Sequence, residues 1–370
     1  MAAVLTMLWW CLRTYYFQLR ESYLLNSILN ETLGFERIYA IGLPERTDKR
    51  DALTLASALT GLSLTWVPGV DGTTVSSKAA PPPWDYERRA SGTLGCWRAH
   101  LNVIEQVVRE QVATALILED DADWDVTVKL QFGQFAGAVQ ALQAESRSHT
   151  SPYGSGWDFL WLAHNRIAIS GSIQDMSILE NDLTVPAVPL RHSWWMQKVI
   201  PWPVSQNRTR CAFRATDGTG GTGYAVTLAA AQKILASLSV QGPNLSIDQG
   251  YSQMCSAKRT PALKCFAPYP PLIGVHRAAG PRSRDSDISN SSDTWHNAYS
   301  RDIVDSTMLN IQELAAGKHI IKAQRLGVSQ RQHPMLSSFD QPEFRLIQVE
   351  PAKMPIEYVD GINSNFKSWS

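Results

Sequence analysis

No CxxC pair occurs in the chain. Its five cysteines (Cys11, Cys96, Cys211, Cys255 and Cys265) are scattered, which indicates neither a zinc site nor a disulfide framework. Cys255 and Cys265 lie close enough to pair in an oxidising compartment, although spacing alone does not establish the bond. No GxxxxGK[ST] phosphate loop is present, which argues against P-loop phosphoryl transfer. Charge of one sign is lacking too. Lys+Arg and Asp+Glu both number 34, so nothing in the balance calls for nucleic acid. Charged residues make up 18% and hydrophobic ones 44% of the 370 residues, a globular composition that suits one large α/β domain with a tail. The apolar run at Ala2–Leu12 has the length of a signal-peptide core but is too short to span a bilayer by itself. No basic residue precedes it, so it reads either as a weak signal anchor within residues 1–28 or as a helix packed on the domain. Four N-x-[ST] sequons (Asn30, Asn207, Asn244 and Asn290), where chance gives roughly one or two, lean toward a secretory lumen.

What the chain does have is the stretch ALILEDDADWD. Ala115 to Leu118 form an apolar run of strand length, and it stops in Glu119, Asp120, Asp121, Asp123 and Asp125. So many carboxylates at the end of a buried strand repel one another and are costly to desolvate. A hard cation relieves both, since Mg²⁺ and Mn²⁺ take carboxylate oxygens together with substrate phosphates. Ligands of open α/β sheets gather at the carboxyl ends of strands, so the stretch reads as a metal site that holds a diphosphate. A solvated acidic loop is the competing reading. A calcium loop counted from Asp121 fails, because positions six and twelve are Val126 and Phe132 instead of Gly and Glu.

Around this stretch the pattern is α/β. Glu36–Ile41 reads as a strand, and a helix follows that Thr47 or Asp48 would cap and Gly61 would end. Leu62–Val67 is a second strand, which completes a βαβ opening. Arg46 and Arg50 stand at the strand-to-helix junction, where bidentate donors suit a diphosphate, though helix-surface arginines are commonly just solvated. Trp97, Leu101, Ile104 and Val108 mark the apolar stripe of a further helix, whose Gly92 and Gly95 would admit a ligand at its N-terminus. His100 either faces the site or is a satisfied core histidine. Residues 165–217 read as an irregular, Trp- and Pro-rich insertion facing an acceptor, with Trp194, Trp195 and Trp202 as sugar-stacking or core residues. DGTGGTG (Asp217–Gly223) matches a dinucleotide fingerprint only weakly and reads as a flexible loop beside the cleft. Asp248 opens a helix within the capping box formed by Ser246 and Gln249, so it is either a helix-dipole carboxylate or a functional base. His276, Arg277, Arg282 and Arg284 suit a lid over a diphosphate, with His276 a further metal ligand. A last helix is expected at Ile303–Ala316.

The runs IYAIGLPERTDKR, GTLGCWRAH and ALILEDDADWD, followed in order by GYAVT, SIDQGY and RDSDI, resemble glycosyltransferase family 25, in its fungal-type branch. The likeness spans about Phe35 to Ile288. It implies a GT-A (Rossmann-like) fold at 35–290, between an N-terminal segment (1–34) and a C-terminal tail (291–370). It also implies an inverting transfer of a hexose, typically galactose from UDP-galactose with Mn²⁺ (or Mg²⁺), to a glycan, lipid-linked or protein acceptor. Under that resemblance Glu119, Asp121 and Asp123, with His276, would hold the metal. Arg46, Arg50, Asp120 and Arg277 would meet the donor, and Asp248 would be the base. Two positions depart from the family pattern: Gly42 stands where Asn is usual, and Ala163 where Gly is usual. A catalytically silent sugar-binding protein and a metal-dependent nucleotide-sugar hydrolase are the alternatives.

Overall fold

The computed structural model describes residues 27–82, 84, 90–143, 151–169, 176–192, 194–196, 202–242, 244–288, 292–318, 320–324 and 331–332. The expected N-terminal anchor, the sequon at Asn290 and most of the tail lie outside them. No helix among the described residues is long and apolar enough to cross a membrane.

The chain opens as a βαβ unit. β1 (Arg37–Gly42) leads to α1 (Thr47–Leu59) and β2 (Thr65–Pro68). Neither Thr47 nor Asp48 caps α1; Arg46 occupies the N-cap position without a side-chain cap. Asp48 instead sits in the first turn and pairs back to Arg46. α2 (Ser91–Arg109) then feeds β3 (Thr114–Glu119), which lies parallel to β1 with Tyr39 opposite Ile117. Both strands are buried on two faces, and alternation divides their side chains. Tyr39, Ile41, Ala115 and Ile117 join the core layer under α2, whereas Ile38, Ala40, Leu116 and Leu118 join the opposite layer. Each fully buried Leu or Ile contributes roughly 1.5–3 kcal/mol, so this strand is held firmly from both sides.

Past Glu119 the chain does not run into an open loop. β4 (Ala122–Trp124) begins three residues on, followed by α3 (Val128–Ala141) and β5 (Phe159–Trp161). The segment expected to be irregular supplies strands: β6 (Arg166–Ile169), β7 (Met176–Leu179), β8 (Trp194–Trp195) and, after a short α4 (Trp202–Ser205), the ten-residue β9 (Arg210–Thr219). Val, Ile and Phe alternate too weakly there to signal strands, and the pairing comes from the sheet edge they extend. β10 (Gly223–Thr227), α5 (Leu228–Ile234), a π turn and α6 (Ile247–Cys255) come next. β11 (Cys265–Tyr269) and β12 (Ile273–Arg277) follow, then the short β13 (Gly280–Pro281), β14 (Trp295–His296) and β15 (Tyr299–Ser300).

The main sheet has the order β2-β1-β3-β10-β5-β11-β9-β6-β8, with β7 beside β9. β2, β1 and β3 are parallel, while β10 enters antiparallel between β3 and β5. This is a mixed α/β sheet with a Rossmann-like half. A smaller sheet, β15-β12-β4, stands beside the carboxyl end of β3. The chain beyond residue 299 returns to the core. Asp305, Ser306, Thr307 and Asn310 are fully buried, and the helix expected over Ile303–Ala316 is confined to a 3-10 turn (Met308–Asn310) and α7 (Ile311–Ala315). Cys255 and Cys265 form a disulfide between α6 and β11.

Candidate functional site

The carboxylates after β3 diverge. Glu119 turns toward α2, where its Oε1 lies 3.0 Å from His100 Nε2, and its Oε2 accepts from Thr222 Oγ1 at 3.0 Å. Asp120 faces Lys49 Nζ at 3.3 Å. Burial, opposed by Lys49 and reinforced by Asp121 and Glu119, pushes the Asp120 carboxyl up to about 7. Asp121 pairs with Arg277 through Oδ2, and its Oδ1 is buried with no hydrogen-bond partner among the described residues. Asp123 goes inward: at 1% exposure its Oδ1 accepts from Trp124 N at 2.8 Å and Met308 N at 3.0 Å, and its Oδ2 from Ser306 Oγ. Asp125 is fully buried; desolvation and the neighbouring Asp305 raise its carboxyl to about 7.

The physical reason for this divergence is β4. Its pairing with β12, Asp123 opposite Gly274, fixes the strand's faces, so a spacing that looks like one acidic cluster becomes several separate environments. Glu119, Asp121, Asp123 and His276 therefore do not converge as a quartet. Among the described residues, the one group of three or more ligand atoms within 4.8 Å of one another is Cys96, His100 and Glu119. His276, on β12, does stay near Asp121. Its backbone N–H donates to Asp121 O at 2.7 Å, and its Nδ1 meets Ser300 Oγ at 2.9 Å. Burial lowers the His276 imidazole pKa, against the pull of Asp123 and Asp121. Burial would lower Arg277 too, but the Asp121 charge outweighs it and holds the guanidinium pKa above its ordinary value.

Of the two arginines at the start of α1, only Arg46 reaches this region. Its guanidinium spans Asp48 at 3.0 Å and Asp287 at 2.6 Å, and these hydrogen-bonded carboxylates raise its pKa. Arg50 stacks over the Trp66 ring at 5.2 Å in a cation–π contact. Lys49, which the sequence did not single out, bridges Asp120 and Asp287 instead. Asp287 belongs to RDSDI, so that segment closes over the end of β1. Gly92 serves this closure and not a ligand: a Cβ there would fall 2.6 Å from Asp287 O. Gly95 makes the matching close approach to Val70 O, at 2.1 Å from a Cβ. Gly42 also has a visible cause, since a Cβ at that position would crowd Asp120 at 3.0 Å and Trp66 at 3.2 Å. At the other departure, Ala163 packs against Gly223, whose added Cβ would meet it at 3.3 Å.

The glycine loop and α6 form the opposite wall. Asp248, at the first turn of α6, accepts from Ser246 Oγ at 2.6 Å and Gln249 N at 2.9 Å through Oδ1. Its Oδ2 accepts from Gly220 N at 3.1 Å. The expected capping box of Ser246 and Gln249 is present. Asp217, the other acid beside the glycines, accepts from Ser252 Oγ at 2.9 Å and lies 3.6 Å from Lys258. Beneath the loop, His100 is buried at 1% exposure but is not a merely apolar core residue. Its Nδ1 meets Tyr224 OH at 2.9 Å, and Tyr224 OH in turn accepts from Tyr251 OH at 2.9 Å. A small, water-sized pocket lies between the loop and β12, lined in part by Asn165, Thr222, Gly274, Arg301 and Asp302. Arg301 Nε there is buried without a partner among the described residues. Trp194, Trp195 and Trp202, offered as stacking residues, have side chains outside the described set.

With this geometry the chain can be set beside known proteins. No protein-family model matches it. It is 26% identical over 149 residues to a glycosyltransferase 25 family member of Anopheles gambiae, covering 37% of this chain and 23% of that protein. It is 21% identical over 150 residues to procollagen galactosyltransferase 1 of Danio rerio, covering 38% and 23%. A third relative, from Bos taurus, is named as a probable inactive glycosyltransferase 25 family member 3 (23% over 146 residues, covering 36% and 23%). The resemblance to glycosyltransferase family 25 therefore holds. These relatives are animal proteins and do not speak for the fungal-type branch. The matched stretch spans about a quarter of their length.

Proposed function

We propose that the chain is an inverting, metal-dependent hexosyltransferase of GT-A fold. It moves a hexose, galactose first among the candidates, from a UDP-sugar to a glycan, lipid-linked or protein acceptor. The observation that carries this reading is Asp248, a carboxylate held by three donors at the mouth of a helix, across a glycine loop from the end of β3. Relatives named as glycosyltransferases support it at the level of the family.

The donor site fits a divalent cation held by fewer protein ligands than the four residues first expected. The unpartnered Oδ1 of Asp121 calls for a positive partner, and His276 lies beside it; a hard cation commonly takes one or two carboxylates and completes its shell with phosphates. Asp121 and His276 would hold Mn²⁺ or Mg²⁺, which when bound supplies Lewis-acid neutralisation of the departing UDP. Asp123 has no free oxygen for that role, and Glu119 faces away from it. Arg46, Lys49 and Arg277 would surround the diphosphate with fixed positive charge, each now balanced by a carboxylate that the donor would replace. Asp248 would then take the acceptor hydroxyl proton as the new bond to the anomeric carbon forms and the bond to UDP breaks.

We place the protein in the lumen of the secretory pathway, ER or Golgi. The Cys255–Cys265 disulfide and the exposed sequons Asn30 and Asn207 support that compartment. Membrane attachment through residues 1–28 is proposed on their apolar run alone. Incubation with labelled UDP-hexoses and Mn²⁺, with and without candidate acceptors, tests the activity. Transfer to an acceptor supports the proposal, while free sugar alone points to a hydrolase. Donor binding without either product points to a silent sugar-binding protein.

A further inference from the structure

Among the described residues, the three ligand groups that converge are not the acids of the β3 stretch but Cys96, His100 and Glu119. Cys96 and His100 stand one helical turn apart on α2, so both side chains leave the same face. The end of β3 brings Glu119 to meet them. His100 Nε2 and Glu119 Oε1 are 3.0 Å apart, and all three ligand atoms fall within 4.8 Å of one another. Two ligands of a tetrahedral metal, each about 2.0–2.1 Å from it, stand roughly 3.3 Å apart, so a metal fits between these atoms with small side-chain movements.

The surroundings match that use. A metal-bound histidine has its second nitrogen fixed by a hydrogen bond, and here Nδ1 is fixed by Tyr224 OH, which Tyr251 OH orients in turn. Thr222 Oγ1 donates to the second oxygen of Glu119, leaving Oε1 directed at His100. Gly221 lets the loop close over the pair: an added Cβ would come within 3.3 Å of Glu119 Oε1 and 3.5 Å of His100 Nε2. The donor set of one thiolate, one imidazole and one carboxylate suits a borderline cation and not Mg²⁺ or Ca²⁺.

We propose that Cys96, His100 and Glu119 form a zinc-type site, separate from the Asp121–His276 position and present whether or not the protein transfers a sugar. It ties α2 to the end of β3 under the glycine loop and withholds Glu119 from the donor's cation. The sequence conceals it, because a cysteine and a histidine on one helix and a glutamate from a later strand share no spacing motif.

Cobalt(II) is the probe. The full chain, stripped with chelator and titrated with Co²⁺, should develop a near-ultraviolet thiolate-to-cobalt charge-transfer band saturating at one equivalent and displaced by Zn²⁺. Cys96→Ser should abolish the band, whereas Cys211→Ser and Asp121→Asn should leave it. Tyr224→Phe, which removes only the hydroxyl that orients His100, should weaken Co²⁺ affinity by roughly 10- to 100-fold. If Cys96→Ser fails to fold, Glu119→Gln takes its place and should weaken Co²⁺ affinity at least tenfold. A missing band, a band that survives Cys96→Ser, or unchanged affinity in Glu119→Gln overturns the site and leaves a hydrogen-bonded relay. A band lost in Asp121→Asn would merge it with the donor's cation and overturn its separateness.

Discussion

Asp248 Oδ2 accepts a hydrogen bond from the backbone N–H of Gly220 at 3.1 Å, which ties the first turn of α6 to the glycine loop. The contact holds a carboxylate beside Gly220, which lines the pocket, and it also gives that carboxylate a structural duty. Any test of its chemistry must separate the two.

Asp248→Asn does so. The amide keeps one oxygen for Ser246 and Gln249 but loses the acceptor that the Gly220 N–H uses, so stability should fall by about 1 kcal/mol by thermal denaturation. It cannot accept a proton, so transfer should drop by about a hundredfold or more while UDP-sugar affinity persists. Near-full transfer by this variant would reduce Asp248 to a tether for Gly220.

Asp121 and Asp123, two residues apart, should respond oppositely. Asp121→Asn should abolish the Mn²⁺ dependence of UDP binding in calorimetry, with a moderate loss of stability because Arg277 loses its charge partner. Asp123→Ala would strand the N–H groups of Trp124 and Met308 in the interior. It should therefore lower stability by about 3 kcal/mol, at roughly 1–3 kcal/mol per orphaned group. A stable Asp123→Ala protein with lost Mn²⁺ response would restore Asp123 to the cation.

His164 governs part of the acid response. Burial lowers its pKa to about 4, against an ordinary value of 6.5. Above 6.5 both folded and unfolded chains hold it neutral. As pH falls from 6.5 toward 4 only the unfolded chain takes up the proton, so this group's stability is progressively lost, by up to about 1.4 kcal/mol per pH unit. Asp120 and Asp125, with raised pKa values, act in the opposite sense over an overlapping range, so the variant must be compared with the parent. His164→Gln should give the flatter acid limb in urea unfolding, and identical limbs would show that His164 titrates normally.

The disulfide should matter for folding and for compartment. Cys255→Ser, or reduction, should cost about 3 kcal/mol, the loop-entropy value for a closed loop of this size. Expressed in a eukaryotic host, the intact chain should also shift in gel mobility on glycosidase treatment, through Asn30 and Asn207. An unchanged melting temperature under reductant would remove the disulfide from the stability account, and an unshifted band would move the protein out of the secretory route.

Local order was readable where one residue's neighbours in sequence are also its neighbours in space. The apolar run into Glu119, the stripe from Trp97 to Val108 and the capping box at Ser246 and Gln249 fix β3, α2 and the start of α6 through periodicity and capping alone. The five acids after Leu118 were readable as a concentration of charge, but not as an arrangement. Their directions depend on β4 pairing with β12, some 150 residues later, and on Ser306 and Met308 arriving from a segment whose sequence signals a helix but not its place beside Asp123. The same holds for Lys49, which became a bridge only when Asp287 closed over it, and for His100, whose partners come from β3 and β10. Sequence determined which chemistry the chain carries. Which carboxylate meets which partner was decided by strand pairing across long loops, because a one-residue change of register turns every side chain to the other face.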